Sequence, residues 1–103
     1  MKFFVIERVR GSSMPQDQSE FAKVAAEDLK YKLNLERKGK ISAGGPFLDT
    51  LADGYILEVD TLDELGDILF SSPGNLAVDR EVHPLGTFED SLEGMDELRK
   101  KRK

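Results

Sequence analysis

The chain has 103 residues, no cysteine and a formal net charge of −5. This length suits one domain with its own core, and the absence of cysteine excludes disulfides, thiolate metal sites and cysteine nucleophiles. Five of the fifteen basic residues close the chain at 99–103, which leaves ten bases against twenty acids elsewhere. Such an acidic body disfavours nucleic acid, whose binding depends mostly on phosphate neutralisation. With no signal peptide and no bilayer-length apolar run, the sequence predicts a cytoplasmic protein that does not enter membranes.

Residues 2–10, KFFVIERVR, predict the first strand. Successive side chains of a strand point to opposite faces, so Phe3, Val5 and Val9 share one face with Glu7. The other face carries Phe4, Ile6, Arg8 and Arg10. Both faces are apolar at the start, which is typical of a strand in the middle of a sheet.

A long helix is predicted from about Asp17 or Ser19 to Lys38, where apolar residues recur with helical spacing. Gly39 follows two basic residues, a combination typical of a helix end. Asp28 lies inside the apolar arc of this helix. A carboxylate there is costly unless it is paired or takes part in chemistry.

The middle of the chain predicts a β-hairpin, with strands at 40–48 and 54–60 joined by a polar turn. Thr61 and Glu64 form a capping box that opens a short helix from Leu62 to about Ser71. Residues 76–83 predict the fourth strand.

The element order predicts a ferredoxin-like β-α-β-β-α-β protomer of the α+β class at residues 1–86. Its four-stranded antiparallel sheet would carry both helices on one face. The other face keeps apolar side chains, so we expect it to pack on a second copy, as in a dimeric α+β barrel, or in a larger assembly of such dimers. Residues 87–103 predict a C-terminal tail, partly helical or disordered.

Three segments carry a family resemblance: GGPFLD at 44–49, ADGYILEVDTLDEL at 52–65 and SSPGNLAVDREVHPLG at 71–86. They resemble the muconolactone isomerase-like and YCII-related proteins of the dimeric α+β barrel superfamily. The resemblance covers residues 1–86 and includes Asp28, Tyr31 and ERKGK at 36–40 of the first helix. It implies a small cofactor-free enzyme, isomerase-like, that transfers a proton on a lactone or related small carboxylate metabolite.

Asp28 and Tyr31 are the predicted catalytic residues. They are three residues apart, so they share a helix face that points toward the sheet. A partly buried carboxylate can take a proton α to a carbonyl, and a nearby phenol can hold the resulting enolate. The structural alternative is that Asp28 pairs with Lys32 and that Tyr31 belongs to the edge of the core.

Arg8, Asp49 and His83 are the predicted substrate-binding residues. Arginine among apolar strand neighbours, such as Arg8, can bind a ligand carboxylate through two parallel hydrogen bonds. The alternative for Arg8 is an ion pair across the sheet. For Arg80, we favour such an ion pair. Asp49 matches the aspartate of the YCII-type GPxxD pattern, or caps its own turn. His83 is the sole histidine, and a solvated or interface position is the alternative to an acid–base role. A lone imidazole makes a poor metal site, so no metal is expected.

Two other classes of function fit the sequence. One is a non-catalytic ligand-binding or stress-associated barrel whose cleft only sequesters a metabolite. The other is an interaction module that uses the basic tail at 99–103.

Overall fold

The computed structural model describes residues 1–101; residues 102 and 103 of the predicted tail lie outside the described residues. Its elements are β1 (Lys2–Val9), α1 (Gln18–Arg37), β2 (Ile41–Pro46), β3 (Ala52–Glu58), α2 (Leu62–Phe70), β4 (Val78–Leu85) and α3 (Phe88–Lys101). The strands form one antiparallel sheet in the order β2-β3-β1-β4. The predicted ferredoxin-like α+β arrangement is confirmed, and β1 is a central strand.

The core lies between this sheet and the pair formed by α1 and α2. It consists of Phe3, Val5, Leu35, Ile41, Tyr55, Leu57, Val59 and Leu69. Val5 and Leu57 are fully buried, because they lie on the helix-facing side of the two central strands. The strand alternation predicted for residues 2–10 therefore holds, and Glu7 lies on the covered face with Phe3 and Val5.

The ends of α1 and α2 follow the local chemistry of the sequence. The Asp17 carboxylate accepts a hydrogen bond from the Ser19 amide at 2.8 Å, which caps the start of α1. Gly39 has φ +78°, the left-handed conformation of a helix C-terminal glycine. At α2, the Glu64 amide donates to Thr61 Oγ1 at 3.1 Å, and the Glu64 carboxylate accepts from the Asp60 amide at 2.8 Å.

The hairpin between β2 and β3 turns two residues earlier in the sequence than predicted. The Phe47 amide donates to the Ala52 carbonyl at 2.8 Å, so β2 ends at Pro46 and β3 begins at Ala52. The register shifts between Ile41 and Ala43, and Gly44 beyond the shift has φ +128°. A Cβ on Gly44 would lie 2.3 Å from the Gly54 carbonyl oxygen, so this position requires glycine.

Two other boundaries differ from the prediction. Residues Asn75–Ala77 form a single 3₁₀ turn, which moves the start of β4 to Val78. α3 is a continuous helix where the tail was predicted to be partly helical or disordered, and Thr87 Oγ1 caps its start by accepting from the Asp90 amide at 3.1 Å. The chain is elongated as a result, with extents of 64 × 26 × 23 Å.

The face of the sheet opposite the helices is only partly apolar. We call it the open face; it carries Phe4, Ile6, Ile56 and Leu85 together with the charged Arg8 and Glu81. The homodimer predicted through this face stays a prediction. Among residues 1–101, no helix has both the length and the apolar character that a membrane span requires.

Candidate functional site

Five charged side chains meet between α1 and the sheet, and we call them the buried charge cluster. They are Glu7 of β1, Asp28 and Lys32 of α1, Asp53 of β3 and Arg80 of β4. The strand register brings them together, since Glu7 pairs with Asp53 on one neighbouring strand and with Arg80 on the other. Asp28 and Lys32 are one helical turn apart and face the same way.

Lys32 is the centre of the cluster. Its Nζ lies 2.6 Å from Glu7 Oε1, 2.8 Å from Asp28 Oδ2 and 2.6 Å from Asp53 Oδ2. The ammonium also lies 5.6 Å from the centre of the Tyr55 ring. Burial disfavours the charged form, but the adjacent carboxylates outweigh it, so the pKa of Lys32 is raised. The cluster therefore holds a permanent cation at neutral pH.

Arg80 holds the other side of Glu7. Its Nε donates to Glu7 Oε2 at 2.6 Å, its Nη1 to Asn75 Oδ1 at 2.8 Å and its Nη2 to the Leu69 carbonyl at 3.2 Å. One guanidinium thus connects β1, the end of α2 and the turn before β4. Glu7 is only 2 % exposed, and each of its oxygens contacts a cation.

The cluster contains more carboxylates than cations. Asp28 has its second oxygen, Oδ1, bonded to the Gly74 amide at 3.1 Å. The second oxygen of Asp53, Oδ1, is buried and has no hydrogen-bond partner within residues 1–101. Burial raises the pKa of Asp53, and the hydrogen bond from Lys32 offsets this only in part. Asp53 therefore accepts a proton more readily than an exposed aspartate.

The spacing of the three carboxylates in the cluster also resembles that of a metal site. Carboxylate oxygens of Glu7, Asp28 and Asp53 all lie within 4.8 Å of one another, a spacing that could hold a cation. Oxygen donors of this type suit hard divalent ions. The ammonium of Lys32 contacts all three carboxylates, so the chain itself supplies the cation between them.

Two cavities flank the contact between Lys32 and Asp53, and both side chains line both of them. The larger, about 240 Å³, lies between the second half of α1 and β2 and is also bordered by the Tyr55 ring. The smaller, about 180 Å³, lies toward the first half of α1. Its apolar walls include Phe21, Val24, Phe47 and Leu51. Its polar end is formed by four members of the buried charge cluster, Glu7, Asp28, Lys32 and Asp53. Each cavity is mostly apolar with charge at one place, as ligand sites commonly are.

The structure places the two predicted catalytic residues in different surroundings. Asp28 belongs to the buried charge cluster and lines the smaller cavity, where it forms the Asp28–Lys32 ion pair of the structural alternative. Tyr31 turns its hydroxyl toward α2 and donates to the Ile68 carbonyl at 2.7 Å. Burial, reinforced by the charge of Asp28, raises the pKa of Tyr31.

The predicted substrate-binding residues lie away from the cavities. Arg8 is on the open face, with Nη1 3.0 Å from Glu81 Oε1, and His83 Nε2 is 3.3 Å from the other oxygen of Glu81. Asp49 is exposed in the turn between β2 and β3. The structure therefore brings Asp28 to Lys32, Glu7 and Asp53, and leaves Arg8, Asp49 and His83 outside that group.

Four members of the cluster were not predicted as site residues, although for Arg80 the favoured prediction was an ion pair across the sheet, which the structure shows with Glu7. Glu7 and Asp53 each occupy a position in phase with the apolar alternation of their strands, a signal that marks a buried charge. Lys32 appeared only as a partner of Asp28. Its central position depends on β1 and β3, which place Glu7 and Asp53 beside its ammonium group.

No protein-family model matches the chain, and no curated protein matches it either. Solved structures share its fold, among them the following two. Muconolactone isomerase is 22% identical, with 84% of this chain and 90% of that chain covered and a TM-score of 0.73. The 5-chloro-2-hydroxyhydroquinone dehydrochlorinase of Burkholderia phenoliruptrix AC1100, solved with 2,5-dihydroxybenzoquinone, is 24% identical, with 87% and 98% covered and a TM-score of 0.64. The chain therefore has a muconolactone isomerase-like fold, while the relation to YCII-related proteins stays a prediction.

Proposed function

We propose that this chain is a small cofactor-free enzyme that transfers a proton on a lactone or a related small carboxylate metabolite. The observation that supports this most is the position of Asp28. Its carboxylate lies at the polar end of an apolar cavity, 2.8 Å from the Lys32 ammonium. The muconolactone isomerase-like fold supports the same class of reaction.

In the proposed reaction, Asp28 takes a proton from the carbon α to the substrate carbonyl or, in an α,β-unsaturated lactone, from the conjugated γ carbon. The electron pair of that C–H bond moves into the carbonyl, which becomes an enolate. Asp28 then returns the proton to the far end of the conjugated system, and the double bond shifts by one position. Lys32 provides a fixed positive charge beside the developing oxyanion, which costs no reorganisation at the moment of reaction.

The size and walls of the cavities support a small substrate. Drug-sized ligands occupy pockets of roughly 300–1,000 Å³, whereas the two cavities here measure about 240 and 180 Å³. Both cavities open to solvent, and their apolar walls would remove water from the side of the substrate that they contact, which strengthens the interaction of Lys32 with a substrate oxygen there. A single ring with one or two oxygen groups suits this space.

The other predicted site residues could act on a substrate only after a change in the structure. An oxyanion role for Tyr31 requires that its hydroxyl leave the Ile68 carbonyl, 2.7 Å away, for the substrate. Arg8 and His83 bind substrate only if a second site forms on the open face, where both contact Glu81. Asp49 would contribute through closure of its exposed turn.

One observation favours the non-catalytic alternative, a barrel that binds a metabolite without changing it. The Lys32 ammonium already contacts three carboxylates at 2.6 to 2.8 Å, so the cluster is satisfied without a substrate. In that case the cluster would be a structural feature of the cavity wall, and ligand binding would leave every C–H bond of the ligand intact.

Proton exchange in deuterated buffer separates these functions. The wild-type chain would be incubated with muconolactone, simple butenolides and β-keto acids, and loss of the α- or γ-proton would be followed by NMR. We expect exchange by wild type and a loss of about 10²- to 10⁴-fold in Asp28→Asn. Glu27→Gln is the matched control, because Glu27 is the exposed neighbour on the same helix.

Each outcome distinguishes one alternative. Ligand-induced shifts of cavity resonances without any exchange would favour the binding protein. Undiminished exchange in Asp28→Asn would show that another group is the base.

A further inference from the structure

The C-terminal helix α3 carries an apolar stripe that no other part of residues 1–101 covers. Phe88 is 97% exposed, Leu92 62%, Met95 64% and Leu98 49%. Their spacing of four, three and three residues places them along one side of the helix. No residue of Phe88–Lys101 is buried. Four large apolar side chains on one exposed helix face form a surface that is suited to a partner.

A helix of this kind depends on a partner for its stability. Isolated helices shorter than about 12–15 residues are marginal in water, and α3 has 14 residues. Gly94 in its middle lowers its helix propensity further. The Thr87 cap and the 3.3 Å contact between Arg99 and Asp96 contribute only modestly. Covering the apolar stripe would provide the stabilisation of α3 that these local contacts do not.

The charges of α3 indicate what covers it. Glu89 and Asp90 lie in its first turn, whereas Arg99, Lys100 and Lys101 lie in its last. A second α3 in antiparallel orientation would place the acidic start of each helix beside the basic end of the other. A parallel arrangement would instead place like charges together. The helix is therefore complementary to a reversed copy of itself.

We propose that α3 pairs antiparallel with α3 of a second copy of this chain, around a twofold axis at Met95. In this register Leu92 faces the partner's Leu98, and Glu89 lies level with the partner's Lys101. An isologous interface of this kind closes after two copies, because each helix supplies the same surface to the other. α3 begins only three residues after the end of β4, so the pairing also holds the two domains close together.

The absence of cysteine from the sequence permits a direct test in the full-length chain. Met95→Cys places one thiol at the proposed axis, and Glu93→Cys places one on the opposite side of the same helix. Under mild oxidation at low micromolar concentration, we expect Met95→Cys to form a disulfide-linked dimer at least about ten times faster than Glu93→Cys. A mixture of Leu92→Cys and Leu98→Cys should also form the mixed dimer, which reports the antiparallel register.

Sedimentation of uncrosslinked protein completes the test. We expect wild type to be a dimer and Leu92→Asp to shift toward monomer by at least tenfold in dissociation constant, with the circular dichroism of the domain retained. Equal crosslinking at positions 93 and 95, a monomeric wild type, or a dimer unaffected by Leu92→Asp would each overturn the proposal. Crosslinking of Met95→Cys to Ile6→Cys in preference to itself would place α3 on the open face instead, and would also overturn it.

Discussion

The two faces of the sheet carry the same ion pair in opposite environments. Strands β1 and β4 supply both: Glu7 with Arg80 on the covered face, and Arg8 with Glu81 on the open face. The contact distances are 2.6 and 3.0 Å. The side chains of the covered pair are 2% and 13% exposed, whereas those of the open pair are 52% and 54% exposed.

This comparison shows that burial, more than contact geometry, sets how strongly the fold depends on a charge. A single charge of an exposed pair is hydrated when its partner is removed, so such pairs contribute about 0–1 kcal/mol. A buried charge without its partner has no such solvation, and breaking a buried pair typically costs about 3–5 kcal/mol. The buried charge cluster is therefore needed for stability, independently of the chemistry proposed for Asp28.

The largest effect is expected for Glu7→Gln. Glu7 binds both Lys32 and Arg80, so its neutralisation leaves two buried cations short of a partner. We expect the free energy of unfolding to fall by about 3–5 kcal/mol in urea denaturation. Glu81→Gln, the matching change on the open face, should cost about 1 kcal/mol or less. Equal costs would show that the two faces do not differ as described.

A somewhat smaller effect is expected for Lys32→Met, which keeps the apolar stem and removes the cation. Glu7, Asp28 and Asp53 then repel one another, and binding of a proton relieves the repulsion. We expect a loss of about 2–4 kcal/mol at pH 8 and a smaller loss at pH 5, by urea denaturation at both values. Lys30→Met, on the exposed side of α1, is the control and should show little change at either pH.

Alkaline pH tests the raised pKa of Lys32 in the unmodified protein. A folded pKa above the ordinary 10.5 means that the unfolded chain loses this proton first, so stability is full below that value and falls as pH rises through it. Tyr31 and Tyr55 act in the same direction from 10.0, because burial raises both of their pKa values.

We therefore expect the free energy of unfolding to decrease above about pH 10, by roughly 1.4 kcal/mol per pH unit for each group that titrates differently in the two states. Lys32→Met should show a shallower decrease over the same range. An identical slope in that variant would indicate that the tyrosines account for the whole effect.

The smallest effect is expected for Arg8→Gln. The open pair is screened by salt, so its contribution of about 0–1 kcal/mol should disappear near 1 M salt. Urea denaturation of Arg8→Gln and wild type at low and high salt measures this. A loss that exceeds about 2 kcal/mol, or that persists at high salt, would mean that Arg8 is buried in solution, as a dimer through the open face would require.

Most of the fold follows from local sequence patterns. Apolar spacing predicted α1, and the Asp17 cap and Gly39 fix its ends within a residue or two. The capping box at Thr61 and Glu64 opens α2 as predicted. The length of α3 was underestimated because its start is marked only by Thr87 and two acidic residues, and because its apolar residues have no partner within residues 1–101 that would reveal their role.

The candidate site was less predictable, because most of its contacts join residues far apart in sequence. Asp28 and Lys32 are four residues apart, so their pairing could be expected from helix geometry. Glu7 meets Asp53 and Arg80 only through the registers of β1 with β3 and of β1 with β4. Strand alternation gave the face of Glu7 correctly, but its partners depend on how β1 aligns with β3 and β4, two strands that lie far from β1 in the sequence.

Proline has a consequence for how copies of this protein meet. Each outer strand of the sheet contains one, Pro46 in β2 and Pro84 in β4. Proline has no backbone N–H, and the irregular stretch at Gly44 further interrupts the outer border of β2. A foreign strand would find an incomplete row of hydrogen-bonding groups on either border. The molecule is thereby protected against edge-to-edge aggregation into longer sheets, and self-association is directed to side-chain surfaces instead.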